Sequence, residues 1–218
     1  MRTVAVILAE AGQLAELAGK PVIEHAVGAF ENAAQVDEIL VVVAPALAAQ
    51  VGQLLADGGY RKVSRVIEGG GTRTQAAQQA IRALGDTECN LLIHDADRPL
   101  ISQRVIEDCV TALGTREAVC AAVPASDTMV AIEKGLITER PPRDRLRRRQ
   151  TPQGFRLPVI RRGYELALAD PAFEPTDDCG IVLRYLPDVA VAVVQGSEQS
   201  FTILSPAAID IAEAMLSA

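Results

Sequence analysis

Leu91-Leu-Ile-His-Asp-Ala-Asp-Arg-Pro-Leu100 runs from an apolar stretch into a His-Asp pair, then at once into a second acid, an arginine and a proline. Asn90 and Pro99 border the run, and Ser102 is placed to cap a following helix. The stretch therefore predicts a buried strand that carries a carboxylate to the rim of a sheet. In open α/β sheets ligands sit beyond the carboxyl ends of the strands. Asp95 at such an edge suits Mg²⁺, which takes one or two carboxylates and fills its shell with water and phosphate oxygens. Arg98, three residues on, is placed to grip a phosphate. The plainer alternative is that Asp95 and Asp97 only open a turn and cap a helix.

Outward from this strand, β-rich runs alternate with helical patterns. Strands are predicted over Thr3–Ala9, Glu38–Val43, Lys62–Ile67, Asn90–His94, Ala118–Val123 and Val189–Val194. Helical spacing marks Pro21–Asn32, Pro45–Ala56, Thr72–Leu84, Ser102–Leu113, Pro158–Ala169, Asp177–Leu186 and Pro206–Leu216. This alternation with short connections predicts an α/β fold: one domain with a doubly wound, mostly parallel, Rossmann-like sheet. After Pro124 the rhythm breaks, and an extended β-arm is expected over about 128–152, with a turn at Lys134-Gly135.

Composition narrows the possibilities further. Of the 218 residues 49% are hydrophobic but only 3% aromatic, so the core is aliphatic, as suits a sheet covered on both faces. A net charge of −7 argues against a nucleic-acid partner, because no basic excess exists to displace counterions. Cys89, Cys109, Cys120 and Cys179 form no Cys-x-x-Cys pair and read as reduced, buried thiols of a cytoplasmic protein. The apolar start meets Glu10 too early for a secretory signal, and no segment is long enough to span a membrane.

Other segments carry possible chemistry. Asp127-Thr-Met129 follows the fifth strand to the same edge as Asp95, where Thr128 either bonds a substrate or closes a turn. Arg140 to Arg149 concentrates six arginines, which read as an anion site or as a solvated loop on an acidic protein. Thr151-Pro-Gln-Gly-Phe155 reads as a turn into a helix, and Thr176-Asp-Asp178 as an N-cap whose acids suit the helix dipole. Gly69-Gly-Gly-Thr-Arg73 joins a strand to a helix, where glycines let backbone approach a ligand and free N–H groups face an anion. Gly12 and Gly19-Lys20 do not make a P-loop, since the glycine spacing is wrong and Pro21 stands where Ser or Thr is required.

Taken in order, these segments resemble the 2-C-methyl-D-erythritol 4-phosphate cytidylyltransferase family. The pieces are Val4-Ala-Val-Ile-Leu-Ala-Glu-Ala-Gly12, Pro21-Val-Ile-Glu-His-Ala-Val27, Gly69-Gly-Gly-Thr-Arg73, His94-Asp-Ala-Asp-Arg-Pro99, Pro124-Ala-Ser-Asp-Thr-Met129, Gln150-Thr-Pro-Gln-Gly-Phe155 and Thr176-Asp-Asp178. The resemblance implies transfer of a cytidylyl group from CTP to a polyol phosphate with Mg²⁺, in isoprenoid precursor synthesis. It also implies a homodimer in which an arm from each subunit closes the other's site. It assigns Asp95 to Mg²⁺, Arg98 to the substrate phosphate side, and Thr128 to the methylerythritol phosphate. Arg143 and Thr151 would reach from the arm into the partner's site. Ala9, Ala11, Gly12, Gly69, Gly70 and Arg73 would line the nucleotide pocket.

The departures from that family are equally specific. Its Gly-x-Gly-x-Arg loop, followed by Pro-Lys, cradles the triphosphate. Here Ala11-Gly12 passes directly to Gln13-Leu-Ala-Glu-Leu-Ala-Gly-Lys-Pro21, so roughly ten loop residues are missing. Lys20 matches a later position, with a shifted catalytic role as the alternative. The lysine of the family's C-terminal Asn-x-Lys is Thr202, the serine expected after Arg73 is Ala76, and Glu10 replaces a small residue. Each lost donor costs about a hundred- to a thousandfold in such chemistry. Weak or lost transfer is therefore expected. The alternatives are a non-catalytic paralogue that binds a sugar phosphate or a partner, and a transferase for another polyol phosphate.

Overall fold

The computed structural model describes residues 1–9 and 11–217. The elements run β1 (Thr3–Ala9), a hairpin of β2 (Glu16–Leu17) and β3 (Lys20–Pro21), α1 (Val22–Glu31), β4 (Glu38–Val43), α2 (Ala48–Asp57), β5 (Val63–Glu68) and α3 (Arg73–Ala83). They continue with β6 (Asn90–Asp95), α4 (Gln103–Leu113), β7 (Ala118–Pro124), the hairpin β8 (Ala131–Glu133) and β9 (Leu136–Glu139), and β10 (Arg147–Arg156). The chain ends with α5 (Leu157–Ala169), α6 (Asp178–Tyr185), β11 (Val191–Gln195) and α7 (Pro206–Leu216). Every strand and helix read from hydrophobic spacing is present. Ser102 accepts the Val105 N–H at 3.4 Å, the cap its position implied.

Seven strands form one sheet in the order β11-β7-β10-β6-β1-β4-β5, with β10 antiparallel to both neighbours and the other pairings parallel. All seven residues of β1 are buried because both faces are covered, which is why the strand is apolar without alternation. Phe30 of α1, Val51 and Leu55 of α2, and Val105, Ile106 and Cys109 of α4 pack on one face. Ala77, Ala80 and Ile81 of α3, Ile160 and Tyr164 of α5, and Ile181 and Val182 of α6 pack on the other. The small cluster of Leu17, Val22 and Ala212 seats α7 against the β2–β3 hairpin. Among the described residues, no helix is long and apolar enough to cross a membrane.

The structure corrects the reading of β10. Thr151-Pro-Gln-Gly-Phe155 is no turn: it is buried strand between β6 and β7, and Leu157 begins the helix. The arm is correspondingly shorter than 128–152, because pairing in the main sheet resumes at Arg147. Its tip is the expected hairpin, with Lys134 and Gly135 at positive φ in the turn. Pro152 and Gly154 disguise β10 because neither favours a strand. Both have local reasons to be there. The register shifts between Arg149 and Gln153, around a proline that lacks a ladder donor. A Cβ on Gly154 would lie 2.7 Å from Val119 Cγ2 and 3.0 Å from both Leu113 Cδ1 and Leu92 Cδ2.

A buried polar chain fastens β10 to the end of β6. The Asp95 N–H donates to Thr151 Oγ1 at 3.1 Å, and Thr151 lies 3.0 Å from His94 Nδ1. His94 Nε2 in turn meets the Arg98 carbonyl at 3.1 Å. A carbonyl only accepts, so Nε2 carries a proton, and in the neutral ring that burial favours Nδ1 accepts from the Thr151 hydroxyl. This direction of bonds requires neutral imidazole. Burial holds the His94 pKa at about 4, well below its ordinary 6.5, beside Phe30 at 5.0 Å between ring centroids.

Two outcomes follow from these contacts. Because the folded pKa is depressed, the unfolded chain takes up the proton first, so the His94 contribution is complete above pH 6.5 and is lost as pH falls towards 4. The loss approaches about 3 kcal/mol, read as a drop in the urea midpoint between pH 7 and pH 4.5. His94→Gln is expected to flatten that drop, and an unchanged drop would exclude His94 as its source. Separately, Gly154→Ala is expected to destabilise by about 1–3 kcal/mol through overpacking, measured by thermal or urea unfolding.

Candidate active site

A cavity of about 350 Å³ opens where four parallel strands end. Leu8 and Ala9 of β1, Val43 and Ala44 at the end of β4, Gly69 to Arg73 after β5, and Asp95 and Asp97 at the end of β6 line it, with Gln13 and Ala76. From β1 the order runs to β4 on one side and to β6 on the other, the topological switch point at which such sheets bind ligands. The glycines are needed for close approach. A Cβ on Gly70 would lie 2.3 Å from Gln75 Cβ, and one on Gly69 3.0 Å from Val42 Cγ1. The Thr72 hydroxyl accepts the Gln75 N–H at 3.2 Å and starts α3, which leaves Arg73 in the first turn facing the cavity.

Arg73 organises the charges. Its Nε donates to Asp95 Oδ1 at 2.7 Å, and its Nη1 lies 2.8 Å from Asp178 Oδ2. The Asp178 side chain is 0% exposed, and the Tyr164 hydroxyl donates to its Oδ1 at 2.7 Å. Burial works against the Arg73 charge, but Asp178 and then Asp95 outweigh it and hold the guanidinium above its ordinary range. Burial, reinforced by Asp178, likewise raises the Tyr164 hydroxyl well above its ordinary value, so it stays a donor. Gln153 braces the same corner: its Nε2 donates to Asp177 Oδ2 and its Oε1 accepts the Cys179 N–H, each at 2.8 Å.

The donor set fits Mg²⁺. Asp95 and Asp97 line one cavity, and the Asp95 side chain is 21% exposed, open enough to reach an ion. Among the described residues, no group of three or more His, Cys, Asp or Glu is placed to enclose a metal.

The residues singled out in the sequence fall in several places. Asp95, Arg73, Gly69, Gly70 and Ala9 meet in the cavity. Ala11 begins a short 3₁₀ turn over Ala11–Leu14, and Gly12 is exposed, its carbonyl accepting the Ala15 N–H at 3.2 Å. Glu10 lies outside the described residues. Lys20 is not brought to Asp95: strand pairing with Leu17 fixes it on the β2–β3 hairpin, where it lines a different cavity beside Glu24 and His25. Arg98 is also turned away. Its Nη1 donates to the Ser200 carbonyl at 2.7 Å, its Nε is buried without a hydrogen bond, and burial pulls its pKa below the ordinary value.

Thr128 is exposed beyond the end of β7. Arg143 folds back onto the arm's base, donating to the Ser126 carbonyl at 3.0 Å. Thr151 is 0% exposed and bonded to His94 and Asp95 of its own chain. Sequence reasoning missed Asp178, Gln153 and Tyr164. Asp178 was legible in one respect, since it shares the buried stripe of α6 with Ile181 and Val182, and an acid on such a stripe requires a partner.

With this geometry in hand, comparison with known proteins is specific. The family model for IspD, 2-C-methyl-D-erythritol 4-phosphate cytidylyltransferase, matches residues 8–218. The chain is 46% identical over 211 residues to the enzyme of that name from Thermobifida fusca, covering 94% of this chain and 85% of that protein. It is 34% identical over 205 residues to the bifunctional ribulose 5-phosphate reductase/CDP-ribitol pyrophosphorylase Bcs1 of Haemophilus influenzae, covering 92% of this chain and 43% of that one. The crystal structure of 4-diphosphocytidyl-2C-methyl-D-erythritol synthase from Anaerococcus prevotii superposes with a TM-score of 0.92 at 28% identity, over 100% of this chain and 99% of that one. By family model, curated relatives and fold together, the chain belongs to the 2-C-methyl-D-erythritol 4-phosphate cytidylyltransferase family.

Proposed function

We propose that this chain transfers a cytidylyl group from CTP to 2-C-methyl-D-erythritol 4-phosphate, and does so slowly. The observation that carries this reading is the charge lining the cavity. Among its described lining residues Arg73 is the only cation, facing the acids Asp95 and Asp97. Transfer from a triphosphate depends on positioning and on neutralising charge spread over the phosphate oxygens. Gly69, Gly70 and Ala9 leave room for a base and sugar, whereas the triphosphate meets one guanidinium already shared by two carboxylates. Asp95 and Asp97 are the residues that would hold Mg²⁺. When bound, the ion supplies charge neutralisation at the phosphates.

The same reading makes the arm a dimer contact. Ile132, Leu136 and Ile137 on the hairpin are 66%, 71% and 69% exposed, apolar surface that a second copy would cover. A cytoplasmic location accords with four buried, free cysteines. The similarity to the CDP-ribitol enzyme favours ribitol 5-phosphate as a second acceptor to examine.

Pyrophosphate release is measured with CTP, Mg²⁺ and either polyol phosphate, alongside calorimetric titration of Mg·CTP. Measurable CTP binding is expected with turnover far below the usual range of about 1–10³ s⁻¹. Turnover within that range would refute the charge argument, and absence of CTP binding would refute the transferase reading. Inserting a Gly-x-Gly-x-Arg…Pro-Lys loop after Gly12, together with Thr202→Lys, is expected to raise turnover. Thr202 precedes Ile203, whose N–H meets the Asp97 carbonyl at 2.8 Å, so a lysine there enters beside the cavity. Replacing Ile132, Leu136 and Ile137 by serine is expected to convert a dimer to monomer in light scattering.

A further inference from the structure

Arg73 is held by two carboxylates that differ in what else reaches them. Asp95 is 21% exposed and lines the cavity, whereas Asp178 is 0% exposed and sealed by Tyr164. Separate atoms of the guanidinium serve them: Nε faces Asp95 Oδ1 and Nη1 faces Asp178 Oδ2. The contact occupies Oδ1 of Asp95, one of the two oxygens the carboxylate has to offer an ion. A divalent ion arriving at Asp95 meets a charge that cannot be discharged, because a guanidinium does not deprotonate in proteins. Arg73 therefore has to shift rather than titrate. Nη1 and Nη2 are both buried without a hydrogen bond, the Nη1 contact with Asp178 being an ion pair alone, so the side chain is not saturated where it sits.

We propose that Arg73 is an exchangeable counter-cation for Asp95, and that Asp178 is the positioning residue which retains the guanidinium when a divalent cation takes its place on Asp95. The inference rests on the reading that Asp95 holds Mg²⁺. Asp178 touches no metal, yet it sets the metal affinity. Without it Asp95 is the one carboxylate left to Arg73 of the two that now bind it, so the guanidinium competes harder for that oxygen. With both Arg73 and Asp178 neutralised, the competitor itself is gone.

The two effects have opposite signs, which a loss of packing does not produce. Mn²⁺ serves as the probe, with binding to the intact chain followed by loss of its free-ion electron paramagnetic resonance signal. Asp95→Asn is the site control, and thermal unfolding confirms that each variant folds. Asp178→Asn is expected to weaken Mn²⁺ binding about tenfold, within the range for groups coupled in one charge network. The double variant Arg73→Gln, Asp178→Asn buries neither charge unpaired and is expected to bind Mn²⁺ at least as tightly as the parent. If both variants weaken binding alike, or if Asp178→Asn changes nothing, the exchange is refuted. Should Asp178→Asn fail to fold, the double variant alone decides, and weaker binding there overturns the proposal. Undiminished binding by Asp95→Asn refutes the metal assignment itself, an outcome distinct from failure of the exchange.

Discussion

No buried polar group in the middle of this sheet has water to turn to, and β10 is the strand on which that constraint falls hardest. It runs against the direction of both neighbours and carries Gln150, Thr151 and Gln153 into the interior, at 5%, 0% and 0% exposure. Each has found partners. Gln150 accepts the Ser197 N–H and donates to the carbonyls of Ser197 and Ser200. Thr151 ties the His94 ring to the Asp95 backbone. Gln153 ties Asp177 to the first turn of α6. One strand thus fixes the end of β6, where Asp95 lines the cavity, the start of α6, where Asp178 holds Arg73, and the C-terminal segment, where the Ile203 N–H meets the Asp97 carbonyl. Removing any of these bonds leaves a buried group unsatisfied, which costs more than the bond is worth when made.

The charge of the cavity follows from that scaffold. Asp178 is buried by α6 packing on α5, and a wholly buried carboxylate demands a cation. Arg73 supplies it and is thereby held beside Asp95. The pairing keeps a positive group in the cavity while dividing its charge between two acids. The connection after β1 brings no lysine or arginine to offset this, because pairing within the β2–β3 hairpin holds Lys20 elsewhere. One guanidinium shared by two acids is then the only cation among the described residues that line the cavity.

Much of the architecture was written in local spacing. Strands buried on both faces, such as Thr3–Ala9 and Glu38–Val43, are apolar runs of strand length, and the helices between them show their core-facing stripe. Asp95 was legible because the strand stops at it, and Gly69 to Arg73 because glycines precede a helix start. The settings of Lys20 and Arg98 were not legible, because a residue type and a spacing do not say which way a side chain turns. Arg98 faces the Ser200 carbonyl, a partner 102 positions away.

By itself, then, the sequence determined the layers, the mostly parallel sheet and the edge at which the cavity opens, since hydrophobic period and strand ends are local properties. Tertiary structure alone decided that β10 enters the sheet, that Thr151 turns inward, and that Arg73 is shared between Asp95 and Asp178. Those outcomes depend on pairing between residues far apart in the chain, where a proline, a glycine or a buried acid disfavoured by local rules is stabilised by partners that no window of sequence contains.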